Sequence, residues 1–134
     1  GSLLKEAKEY IDEAYNNEST SNEAKMWNYR APIYLEIALK KPELDEDAII
    51  KATDAHLKCL QKGKKDRIIV RKWTSKEDIL AGLIQCGYKL FNLGIDTYNE
   101  GDYRKSLTTI NKAVKSNWIS TNWRAYKLNT TRDG

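Results

Sequence analysis

Between Gly94 and Ala113 the chain reads Gly-Ile-Asp-Thr-Tyr-Asn-Glu-Gly-Asp-Tyr-Arg-Lys-Ser-Leu-Thr-Thr-Ile-Asn-Lys-Ala. No other stretch restricts the fold as tightly. Gly94 is a small residue where two helices would cross, and Gly101-Asp102 reads as a turn between them. A second amphipathic helix then places Tyr103, Ser106, Ile110 and Ala113 on one face. Small residues at such a crossing serve to bring two helix backbones close together. The pattern asks for paired helices and leaves little room for a strand.

The rest of the chain is compatible with that demand. Helical spacing dominates, and no segment shows the strict alternation of a half-buried strand. A first helix is predicted from about Leu3 to Asn16, with Leu4, Ala7, Ile11, Ala14 and Tyr15 on one face. Thr20 and Glu23 have capping-box spacing, so a second helix is predicted over about Ser21–Lys40. It carries Trp27, Ala31, Tyr34 and Ile37, and Pro32 inside it predicts a bend. Asp45 is the expected cap of a third helix to Lys62 that buries Ala48, Ala52, Ala55, Cys59 and Leu60, with Gly63 as its stop. Thr74 and Glu77 form a second capping-box pair before a long fourth helix, Ser75 to Asn99. Leu80, Leu83, Ile84, Leu90, Phe91, Leu93 and Ile95 make it apolar on more than one face, which predicts a helix sandwiched between neighbours. The fifth runs from Tyr103 to Ser116. Trp118, Trp123, Tyr126 and Leu128 suggest one more short helix before a polar tail.

This arrangement resembles the tetratricopeptide repeat (TPR) family, whose helix–turn–helix units of about 34 residues stack into solenoids. In the better match Leu90 takes the family's aromatic place, Leu93 the leucine, Gly94 the small residue and Thr97 the tyrosine. Gly101 and Tyr103 fall at the turn, and Ser106, Ile110 and Ala113 on the second helix. An earlier repeat aligns Trp27, Arg30, Ala31 and Tyr34 with Ala52, His56, Cys59 and Leu60, although arginine in the leucine place departs from the pattern. Ala7, Ile11 and Ala14 fit only a second helix. The resemblance implies an all-α, right-handed α-solenoid of antiparallel helix pairs with five to six helices. It forms a single domain over residues 1–134: a half repeat at 3–16, lengthened repeats at 21–62 and 75–116, and a closing helix and tail at 118–134. Repeats so lengthened resemble TPR-like proteins of Bacteroidetes-type bacteria.

Such units bind other proteins, and the resemblance implies a non-catalytic interaction module or scaffold. The first helix of each TPR lines the concave groove. That gives Asn28 and Leu35 from one repeat, and Tyr88, Phe91, Asn92, Ile95 and Tyr98 from the next, as the candidate partner-binding residues; Lys25, Pro32 and Asn99 lie alongside. The plain structural alternative is that many of these only pack against the flanking helices. Tyr88, Phe91 and Ile95 stand where the family's carboxylate clamp would need polar groups, which argues against that mode. The expected partner is a protein or peptide segment.

Composition bears on the alternatives. Among 134 residues, 23 are basic and 19 acidic, a net charge of +4. So mild an excess speaks for solubility before it speaks for nucleic acid. Lys62, Lys64, Lys65, Arg67, Arg71 and Lys72 do cluster. They read as a helix C-terminus and solvated linker, with single-stranded nucleic acid stacked on nearby rings as the second reading and self-association through solenoid ends as a third.

We expect no catalytic, cofactor-binding or metal site. His56 is the only histidine and falls at a packing position, and no serine or cysteine has a base motif around it. Cys59 and Cys86 lack metal-ligand spacing and read as buried thiols. No apolar run approaches the roughly 20 residues of a membrane span. Gly1-Ser2 reads as a cloning remnant, so a piece of a longer protein is expected, and the compartment is left open between cytoplasm and, were a leader removed, periplasm.

Overall fold

The structure, a computed structural model, describes residues 2–123. It is all-helical among those residues, with five α-helices: α1 Ser2–Asn16, α2 Ala24–Lys40, α3 Ala48–Cys59, α4 Lys76–Asn99 and α5 Tyr103–Thr121. The only extended pairing among them is an isolated antiparallel bridge, Lys62 to Ile68. No helix there is long and apolar enough to cross a membrane. The chain divides into two compact units, residues 1–82 and 83–134, and the boundary falls within α4.

In the first unit α2 packs along α3 and, less extensively, against α1. Ala31, Tyr34 and Ile37 of α2 and Ala52, Ala55 and Cys59 of α3 are fully buried. The alanines leave room for the larger Tyr34 and Ile37. α2 continues through Pro32, whose ring nitrogen has no hydrogen to offer the carbonyl of Asn28.

Three predicted helix ends are corrected. Thr20 does not cap α2: its hydroxyl donates to the carbonyl of Ala14 at 2.6 Å, and the helix begins at Ala24. Asp45 does not start α3, because its carboxylate accepts the N–H of Asp47 at 2.9 Å in a turn that delays the helix to Ala48. At its other end α3 stops at Cys59, before Gly63. Gly63 N–H instead donates to the Arg67 carbonyl at 2.7 Å and Ile69 N–H to Gln61 at 2.8 Å, closing a tight loop. Lys65 and Asp66 inside it occupy the left-handed region, with φ of 57° and 61°.

An ion cluster ties α1 to α2. The Arg30 guanidinium is buried, 3.8 Å from the Tyr15 ring and 4.6 Å from that of Tyr34. Its Nη1 stands 3.4 Å from Asp12 Oδ1, while Lys8 Nζ lies 2.8 Å from Oδ2. Tyr34 donates its hydroxyl hydrogen to the same carboxylate. Burial pushes Asp12 up, but hydrogen bonds from Lys8 and Tyr34 and the charges of Lys8 and Arg30 outweigh it and hold the carboxyl below its ordinary value. Arg30 is thus accommodated by two rings and a carboxylate, which a buried cation requires.

His56 is buried, and its Nδ1–H donates to the Ala52 carbonyl at 2.7 Å. Its ring fills the notch at Gly82, where an added Cβ would lie 2.4 Å from Nε2. Burial lowers its pKa, partly opposed by the Ala52 hydrogen bond.

In the second unit the α4–α5 turn is closed by two bonds, Gly101 N–H to Tyr98 O at 3.0 Å and Asp102 N–H to Thr97 O at 2.9 Å. This is the Schellman arrangement, and Gly101 supplies its left-handed residue at φ 87°. Asp102 then caps α5 by accepting Lys105 N–H at 3.2 Å. Ser75, rather than the expected Thr74, receives Asp78 N–H at the start of α4. The two helices approach closely at Gly94: Ser106 Oγ donates to its carbonyl at 2.7 Å, and an added Cβ would sit 2.4 Å from Ile110 Cγ1. α5 runs on past Ser116 to Thr121, so Trp118 belongs to it. Tyr126 and Leu128, assigned to a closing helix, lie outside the described residues.

Two outcomes follow. Gly94→Leu drives a side chain into Ile110 and should cost on the order of 1–3 kcal/mol, read as a lowered urea midpoint. The His56 contribution is fully present above its ordinary pKa of about 6.5 and is lost as pH falls, because unfolding lets the ring take a proton. Asp12 and Asp45 are also held low, so their contribution fades only below the usual carboxylate range. The urea midpoint should therefore drop between pH 7.5 and 5.5 in the natural chain, and that drop should flatten in His56→Gln.

Candidate protein-binding surface

α5 inverts the usual amphipathic order. Its buried face is small and largely polar: Ser106, Thr109, Ala113 and Ser116, with Ile119 beyond. Four of its large apolar residues point outward, with Tyr103 at 63%, Leu107 at 64%, Val114 at 61% and Trp118 at 45% exposure. Spacings of four, seven and four place these four on one side of the helix. The expectation that Tyr103 packs with Ser106 and Ala113 is corrected here; its ring instead lies 5.2 Å from that of Tyr98, tilted by 58°. At the crossing Ser106 touches Gly94, and Ile110 fills the space that the missing side chain of Gly94 leaves, so most of the remaining inner face is small.

The part of α4 in this unit also carries an outward apolar stripe, although it buries leucines. Leu83, Cys86, Leu90, Gly94 and Thr97 are buried, whereas Ile84, Tyr88, Phe91, Ile95 and Tyr98 are exposed. The outward five alternate four and three residues apart, the spacing that keeps one straight stripe along a helix. Ile84, Phe91 and Ile95, expected to be sandwiched between neighbours, turn outward in the structure. Between the helices lies a groove of about 470 Å³ lined by Ile84, Tyr88, Phe91, Asn92, Val114 and Asn117, with Gly87 and Ala113 also reaching it. Contacts of Tyr98 with Tyr103 at one end and the shared groove at the other put both stripes on one surface.

The candidate residues therefore fall into two sets. Tyr88, Phe91, Asn92, Ile95 and Tyr98 share this surface. Asn28 and Leu35 are half-buried on α2 in the other unit. Sequence reading missed Leu107, Val114, Asn117 and Trp118 of α5.

Other groups offer less chemistry. Burial pushes the Cys59 thiol up to about 12, which keeps it protonated at neutral pH. Among the described residues no three His, Cys, Asp or Glu gather closely enough to hold a metal ion. Lys64, Lys65, Arg67, Arg71 and Lys72 are exposed in the loop after α3. Because α3 ends at Cys59, they lie in the loop beyond it and not in its last turn. Comparison with protein-family models, curated proteins and solved structures finds no match for this chain.

Proposed function

We propose that this chain is a non-catalytic, TPR-like module that binds a protein segment on the α4–α5 surface. The observation that carries this reading is the outward stripe on the two helices, where nine large apolar side chains face water. Contiguous exposed apolar surface of this kind is characteristic of protein interaction sites, and aromatic residues are the favoured anchors within them. Tyrosine suits the role because its ring is apolar while its hydroxyl keeps the free surface wetted. Asn92 and Asn117 at the groove supply amide groups able to hold a partner's backbone. The TPR reading also supplies the architecture, antiparallel helix pairs in a right-handed stack, and adds Asn28 and Leu35 of α2 to the binding residues.

Replacing Tyr88 and Tyr98 by alanine together should abolish capture of the partner while far-UV circular dichroism stays helical, since both side chains are largely exposed. Pull-down read by mass spectrometry measures the loss. Retention of all partners by that variant would refute the proposal. So would a salt-sensitive nucleic-acid complex lost on charge reversal at Lys64, Lys65 and Arg67, because phosphate contacts weaken steeply with salt.

A further inference from the structure

We propose that the α4–α5 surface takes α1 from a second copy of this chain, so that copies join head to tail. This rests on the protein-binding reading above and names its occupant. α1 carries the complementary surface. Leu3 and Tyr10 are its most exposed apolar residues, at 79% and 74%. With half-buried Ala7 and Ala14 they form a stripe spaced four, three and four, the same alternation as Ile84 to Tyr98 on α4. The alanines allow close approach by the bulky Tyr88, Phe91 and Ile95. Leu3 to Ala14 spans about 17 Å of helix and the α4 stripe about 21 Å, so the seat is long enough.

Charge complements shape. Glu6 and Glu13, one heptad apart and exposed, border the α1 stripe on its outer side. Arg104 and Lys115, also exposed, border the α5 stripe on the side away from α4, with neutral Asn111 between them. Among the described residues no acidic side chain lies on that side of α5, and Asp96 lies on the far side of α4 by helical position. Opposite charges flanking an apolar seam set which helices pair and in which register. The two surfaces belong to different parts of the chain, so the contact is heterologous. Each junction leaves one α1 and one α4–α5 surface free, and growth continues until a ring closes or a filament forms.

Sedimentation equilibrium on the whole chain tests this. The average mass should rise above that of the monomer with concentration, from micromolar to several hundred micromolar. Tyr10→Glu removes the α1 surface and Tyr88→Glu the α4–α5 surface; each variant alone should stay monomeric with an unchanged helical spectrum. Mixed in equal amounts they should form a dimer and stop there, because exactly one intact surface of each kind remains to meet. Glu6→Lys with Glu13→Lys should weaken association at least tenfold, and a partner carrying Arg104→Glu with Lys115→Glu should restore it. Natural chain that is monomeric throughout would overturn self-assembly, while leaving the protein-binding reading intact if the surface still captures another protein. Association that survives Tyr10→Glu would overturn it too, since the α4–α5 surface would then pair with itself.

Discussion

The close approach of α4 and α5 at Gly94 sets the terms for everything outside it. Where Ser106 donates to the Gly94 carbonyl, at 2.7 Å, Ile110 fills the space that Gly94 leaves. Most of the other buried residues of α5 are small: Ser106, Thr109, Ala113 and Ser116. An amphipathic helix ordinarily buries its bulk and solvates its small polar residues. Here small residues take most of the buried face, and Leu107, Val114 and Trp118 are left in water. The exposed apolar surface thus accompanies the close packing of the pair.

The first unit solves a different problem, that of accommodating charge. Arg30 and His56 both sit in the interior. The arginine is held between the Tyr15 and Tyr34 rings and beside Asp12. The histidine remains neutral, with one nitrogen on the Ala52 carbonyl and the ring pressed into the Gly82 notch. Buried polar groups satisfied in this way restrict the ways the helices can pack. They also hold α1 in one orientation, which bears on what its outer face can present.

Much of this architecture is legible in the residues. Ala48, Ala52, Ala55, Cys59 and Leu60 repeat with helical spacing, and every one is buried. Gly94, Gly101 and Ser106 mark the crossing and the turn where they occur. Helix ends at Thr20 and Asp45 are less legible, because short polar side chains bond to the nearby backbone in competing turns. The candidate surface is legible on α4 and hidden on α5. Period alone cannot separate Leu83 and Leu90, which are buried, from Ile84 and Phe91, which are not, because both pairs lie seven residues apart. A usable signal existed: Ser106, Thr109, Ala113 and Ser116 form a small-residue row that leaves Leu107, Val114 and Trp118 on the outside.

The two cysteines give this division a practical side. Cys59 lies in the first unit and Cys86 in the second, and neither has accessible surface. A thiol reacts as thiolate and only when reached. Alkylation of either sulfur must therefore wait for the helices around it to part. Peptide mapping of the alkylated chain would time the opening of each half separately, without any introduced label.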